Sequence, residues 1–168
     1  MSEVRSRSWR VPLAIVLPVW LAACATQGPG FDTAQPPPTA APAPVTPASI
    51  PAQDIVGRWG FAAYHKDEDR ARTEAAARRQ CTHPYNIGRG TRGGVVMHPA
   101  DAAQPTELML KGGPGGKNYI GPFDEPGGSQ ADREIVSFDG RVLLLRWVDP
   151  EVHGRYGNMV YVRCTARG

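Results

Sequence analysis

Few residues of this chain are of a type and spacing to do chemistry. His65, His83, His98 and His153 share no i,i+4 spacing and no common ligand motif, so the sequence implies no metal site. A histidine acting as general base would need an Asp or Glu brought to it by the fold. Ser129 and Ser137 are the serines of the C-terminal two-thirds, and neither lies in a Gly-x-Ser-x-Gly elbow. Nucleophilic catalysis is poorly supplied, and the reading is a non-enzyme with no catalytic residues and no cofactor.

Two glycine-rich stretches bear on that reading. Gly88-Arg-Gly-Thr-Arg-Gly93 has the letters of a dinucleotide-binding loop, but the strand-like Val95-Val-Met97 follows it where the helix that would meet a pyrophosphate must start. Lys111-Gly-Gly-Pro-Gly-Gly-Lys117 lacks the phosphate-loop spacing and has Asn118 where Ser or Thr would hold magnesium. Nucleotide binding is therefore excluded for both. The second stretch is still a candidate binding loop: its glycines let backbone amides approach a ligand, and Lys117, Tyr119 and Phe123 add one charge and two aromatic surfaces.

Charge narrows the partners. The net +3 of the 168 residues includes +2 from Arg5, Arg7 and Arg10 against Glu3, which leaves 16 basic and 15 acidic groups afterwards. A nucleic-acid binder would show its basic excess on the folded part, so no nucleic acid is expected.

The N-terminus places a basic stretch before the apolar run Val11–Trp20 and then Leu21-Ala22-Ala23-Cys24. Counted to Ala23 the apolar run is about 13 residues, short of the roughly 20 that span a bilayer, so it reads as a signal peptide over 1–23. Leu21-Ala-Ala-Cys24 resembles the lipobox of bacterial lipoproteins at all four positions. That resemblance implies lipidation of Cys24, removal of what precedes it, and anchoring in the envelope of a Gram-negative-type bacterium. Acyl chains in pairs or threes hold a protein far better than one. In many such proteins an Asp after the cysteine retains them at the inner membrane; Ala25 implies the outer membrane, facing the periplasm.

From residue 24 to 52 the chain carries one charge, Asp32, and eight prolines, with no period and no apolar mass. It reads as a disordered, partly polyproline tether with a reach of up to roughly 85 Å. With Cys24 taken by lipid, Cys81 and Cys164 remain as an even pair in an oxidising compartment and are expected to form a disulfide, the alternative being two separate buried thiols.

Residues 53–168 read as one globular domain. Ile55, Trp59 and Phe61 share one face of an opening strand. Asp67–Gln80 is the convincing helix, acidic at its start and basic at its end, with Glu68–Arg72 and Glu74–Arg78 pairs and an alanine face of Ala71, Ala75 and Ala76. Strands are expected at 93–98, 107–111, 118–120, 133–138, 141–147 and 158–164. The Asp139-Gly140 dipeptide predicts a two-residue hairpin loop pairing Val136 with Leu143, with Val136, Phe138, Leu143, Leu145 and Trp147 facing the core. The fold class is mainly β with one helix, α+β: a small antiparallel sheet of about six to eight strands, curled into a barrel or half-barrel.

Gly57-Arg58-Trp59 resembles the Gly-x-Trp motif that opens the barrels of lipocalins and of bacterial metalloprotease inhibitors. The resemblance implies that Trp59 closes one barrel end and that an arginine of a late strand packs over it, with Arg163 at the matching place. If Val160, Val162 and Cys164 lined the interior, alternation would turn Arg163 away from Trp59. Two functions are expected: a non-catalytic envelope module binding a small ligand or an envelope protein, or a periplasmic protease inhibitor. A shallow groove by the 111–123 loop would favour the first, and an N-terminal segment packed beside a closed barrel the second. A polar cleft with a histidine near a carboxylate would instead mark a small hydrolase.

Overall fold

The structure is a computed structural model describing residues 45–165; the expected signal peptide, the expected lipidation site Cys24 and the expected tether up to residue 44 lie outside the described residues. Eight strands run β1 (Gly57–Tyr64), β2 (Tyr85–Arg89), β3 (Val95–Met97), β4 (Thr106–Gly112), β5 (Asn118–Gly121), β6 (Arg133–Phe138), β7 (Val142–Trp147) and β8 (Asn158–Arg163). Each pairs antiparallel with the next, and β8 returns to β1 over six residues from Trp59↔Arg163 to Tyr64↔Asn158, closing an eight-stranded barrel. The mainly β class and the barrel expected from the sequence are both present. Closure pairs the outer strands with each other and removes the sheet edges.

Alternation then sorts side chains into two clusters. Trp59, Ile87, Met97, Leu108, Leu110, Ile120, Leu143, Leu145 and Tyr161 fill the interior. Tyr64, Leu144, Val160 and Val162 face outward and are covered by helix α2 (Arg70–Arg79) through Ala77. Val160 and Val162 do share a face, but it is the outer one, because a helix lies against it. Arg163 consequently turns inward, and its guanidinium carbon stands 4.2 Å from the Trp59 ring centre. Arg163 thus lies over Trp59, and the condition under which alternation would turn it away, inward-facing Val160 and Val162, is not met.

Helix α2 is shorter than expected, with 3-10 turns at Asp67–Asp69 and Gln80–Thr82 on either side. Its pairs are Arg70–Glu74 at 3.2 Å and Asp69–Arg72 at 2.6 Å rather than the predicted ones. Thr73 and Ala77 are its buried residues, in place of the expected Ala71, Ala75 and Ala76 face. The helix packs so closely on β1 that a Cβ at Gly60 would lie 1.9 Å from the Ala77 carbonyl oxygen. Only glycine fits there. Cys81, just past the helix, is joined to Cys164 with their Cα atoms 5.5 Å apart, as the cysteine count predicted.

The 133–147 hairpin departs from expectation. Phe138 pairs with Leu143, and Asp139 N–H donates to the Val142 carbonyl, so the loop is Gly140-Arg141, with Gly140 at φ 84°. A bulge at Val136 shifts the register, leaves Val136 41% exposed and puts Ile135 in the core in its place. The expected core position of Val136 is thereby corrected, since an extra residue in one strand reverses the facing of what lies beyond it. Phe138 is half-buried against the core.

Two further helices were not anticipated. Helix α1 (Ala52–Ile55) sits below β1, and α3 (Pro150–Tyr156) joins β7 to β8. Asp149 caps α3, its carboxylate accepting from the N–H groups of Glu151 and Val152. The N-terminal end of the described chain is also bonded to the barrel: the Gly112 N–H donates to the Thr46 carbonyl and Ser49 bonds Asn118. Folded structure thus begins before the boundary at 52/53. The barrel, both clusters and the disulfide all lie within residues 45–165, so a fragment from Thr39 onward holds every element described.

Candidate functional site

The two barrel ends differ. At the end where β1 starts, α1 and Trp59 close the interior; the indole N–H donates to the Ile55 carbonyl at 2.8 Å, and Arg163 lies over the ring while donating to the Val56 and Gly140 carbonyls. Every polar group of Trp59 is used and the residue is fully buried.

The opposite end opens into a cavity of about 700 Å³. Leu108, Arg133 and Trp147, at the ends of β4, β6 and β7, line its barrel side, and Ala100, Phe123 and Val152 come from the loops and from α3. Three connections meet around it, and each is pinned. Lys111, fully buried on the outer face of β4, donates to the carbonyls of Pro122 and Glu125 and stands 2.6 Å from Asp132 Oδ1. The other carboxylate oxygen of Asp132 accepts from the N–H groups of Gly128 and Ser129. This hook folds the 122–131 loop against β4 and brings Phe123 to the cavity. Helix α3 is tied to the 98–105 loop where Asp101 accepts from the Tyr156 hydroxyl and from Arg155. Those bonds, the Tyr156 one first, hold the Asp101 carboxyl below its ordinary value.

The third connection explains the Gly88–Gly93 motif. The N–H groups of Thr91, Arg92 and Gly94 and the Thr91 hydroxyl all donate to the Glu107 carboxylate. The loop is an amide nest that holds an anion, and the anion is a residue of the chain itself. Desolvation opposes ionisation of Glu107, but the hydrogen bonds from Gly94, Arg92 and Thr91 outweigh it and its pKa lies below the ordinary 4.5. A depressed folded value stabilises the fold above the ordinary pKa and ceases to as pH falls through the lowered one. Melting temperature measured between pH 6 and 3 should therefore drop on the acid side in the native protein, and Glu107→Gln should flatten part of that drop.

The binding residues read from the sequence do not converge. Phe123 lines the cavity, with the Arg92 guanidinium carbon 3.6 Å from its ring centre. Lys117 stands elsewhere, on the outer wall, 3.0 Å from Glu134, which also bonds Arg146 at 2.8 Å. Tyr119 is 6% exposed on the outer face of β5, beneath Gly113 and Gly128. It is packing under the loop and no free contact surface. Tyr119→Ala should cost about 3 kcal/mol, as a large buried aromatic does, and Lys117→Ala under about 1 kcal/mol; urea unfolding of the two variants checks the contrast.

Sequence reasoning missed Arg133. It is 2% exposed, lines the cavity, and lies across the ladder from Trp147 with its guanidinium carbon 5.0 Å from that ring. The signal was present as an arginine opposite a core tryptophan, but it appears only in the bulged register. Of the histidines, His98 bonds the Tyr85 hydroxyl and His83 bonds Thr82. Among the described residues no three of His, Cys, Asp or Glu stand close enough to hold a metal ion. Comparison of the chain with protein-family models, curated proteins and solved structures finds no match.

Proposed function

We propose that this chain is a lipid-anchored envelope protein whose barrel binds a small molecule non-catalytically at its open end. The observation that supports it is the asymmetry of the barrel: one end is filled by Trp59 and Arg163, and the other keeps a cavity of about 700 Å³ with a mainly apolar lining. That volume is in the range of ligand pockets, as is the combination of apolar walls with few polar groups. Cys24 as lipid site, the outer membrane as address and the proline-rich segment as spacer complete the reading from the sequence. Its test uses the neutral apolar dye N-phenyl-1-naphthylamine with the fragment from Thr39. The dye should brighten saturably with the native fragment and fail to do so with Ala100→Trp, which fills the cavity. Equal brightening with both would remove the cavity from the account.

A second reading, a protease inhibitor of the Gly-x-Trp barrel type, is favoured by the N-terminal segment, which runs beside the closed barrel through Thr46 and Ser49. Nanomolar inhibition of a secreted metalloprotease, lost when the residues before Ala52 are deleted, would establish it. The anchor is tested separately: Cys24→Ser should release the protein from the membrane fraction or stall its processing, and native protein found soluble would contradict the lipid site.

A further inference from the structure

We propose that the ligand of the open end is an amphiphilic anion, one carboxylate or phosphate head on an apolar body, with Arg133 and the Trp147 indole N–H receiving the head. This rests on the reading of the cavity as a ligand site and goes beyond it to the chemistry of the ligand.

Arg133 Nε and Nη2 and Trp147 Nε1 are buried without a hydrogen-bond partner, and Arg133 and Trp147 are opposite each other on β6 and β7, both in the cavity wall. All three groups donate and none accepts, so what completes them is an acceptor. A guanidinium stays charged, and buried charges are normally paired. Arg133 forms no ion pair with any described carboxylate. The acidic residues near the cavity do not fill the role: Glu107 is held in its amide nest and Asp149 caps α3, while Asp124 is exposed at the rim. Tyr161, on β8, offers its hydroxyl oxygen to Arg133, and burial pushes its phenol above the ordinary value, so it stays a neutral partner and brings no negative charge to the guanidinium.

The rest of the wall sets the body of the ligand. Apart from the exposed Arg92, Thr106 and Gln130, that wall is formed largely by Leu108, Phe123, Val152 and Ala100, whose side chains offer no hydrogen bonds, so a free inorganic anion would leave most of the cavity unused. A carboxylate suits the site because it can take two guanidinium N–H groups side by side, and a phosphate monoester offers the same pair of oxygens.

The experiment compares octanoate, octyl phosphate, octan-1-ol and inorganic phosphate as displacers of N-phenyl-1-naphthylamine from the fragment starting at Thr39. Octanoate and octyl phosphate should bind at least tenfold more tightly than octan-1-ol. Arg133→Met should reduce that preference to within threefold, Arg133→Lys should restore part of it, and Trp147→Phe should weaken octanoate by a larger factor than octan-1-ol. If Arg133→Met does not fold, the Trp147→Phe comparison carries the test. Dye binding with equal affinity for acid and alcohol, or a preference that survives Arg133→Met, would overturn the anion while leaving a cavity ligand in place. Displacement by inorganic phosphate as strong as by octyl phosphate would overturn the amphiphile. Failure of the native fragment to bind dye or any displacer would overturn the cavity reading itself, and this inference with it.

Discussion

Lys111→Met is expected to destabilise the domain by about 3–5 kcal/mol, because it strands the Asp132 carboxylate in a place where neither residue has any solvent exposure. Lys111 also carries the carbonyls of Pro122 and Glu125, so its ammonium satisfies three acceptors at once. Replacing both members, Lys111→Met with Asp132→Asn, removes the unpaired charge and should recover part of the loss. Coupling of that kind is expected of two groups in one network. Denaturant unfolding of the single and double variants gives the coupling directly. The consequence for the site is as important as the stability. The hook holds the 122–131 loop, so variants that fold should lose the wall that Phe123 contributes and bind dye more weakly.

Reduction of the Cys81–Cys164 bridge is the second large effect. The cysteines are 83 residues apart, and loop-closure entropy for a ring of that size is worth about 4.5 kcal/mol at 25 °C. For a domain of this size the loss corresponds to a fall in melting temperature of roughly 15 °C or more. The bridge ties the end of α2 to the end of β8, the strand that closes the barrel onto β1, so the closure itself should loosen. Calorimetry with and without reductant measures the difference. Two thiols that titrate in the native, unreduced fragment would show that the bridge is absent in solution.

Much of this architecture was legible in the sequence, for identifiable reasons. Of the residues placed on the opening strand's apolar face, Trp59 is fully buried in the interior, while Phe61 stays 38% exposed with its ring against Tyr161. The even cysteine pair gave the bridge, and the acidic start and basic end of the 67–80 stretch marked the helix. What was hidden lay where the period breaks. The bulge at Val136 has no signature in alternation, and it moved the register that sets Arg133 opposite Trp147. Strand β2 was obscured because its end, Gly88-Arg89, lies inside a motif that reads as a loop. Helix α3 is only seven residues long, although Asp149-Pro150 is a cap followed by a first-turn proline. Outer and inner faces of β8 could not be told apart by hydrophobicity, since an alanine-rich helix covers the outside with the same dryness that the barrel gives the inside.

Candidate contacts were legible only in part, because exposure is a tertiary property. Phe123 reached the cavity, whereas Tyr119 in the same stretch is covered by the loop that glycines 113, 127 and 128 allow to lie flat. The buried arginine that makes the site distinctive looked like any charged residue at the start of a strand.

The central claim, that one barrel end is sealed and the other receives a ligand, can be read from two indole N–H signals. The fragment from Thr39 contains two tryptophans, Trp59 and Trp147. Trp59 donates to the Ile55 carbonyl at the closed end, and Trp147 Nε1 has no partner at the open one. In a nitrogen–proton correlation spectrum titrated with octanoate, the account predicts that the Trp147 indole signal moves and saturates while the Trp59 signal stays in place. A Trp147 signal that does not move, or two signals that move together, would contradict it.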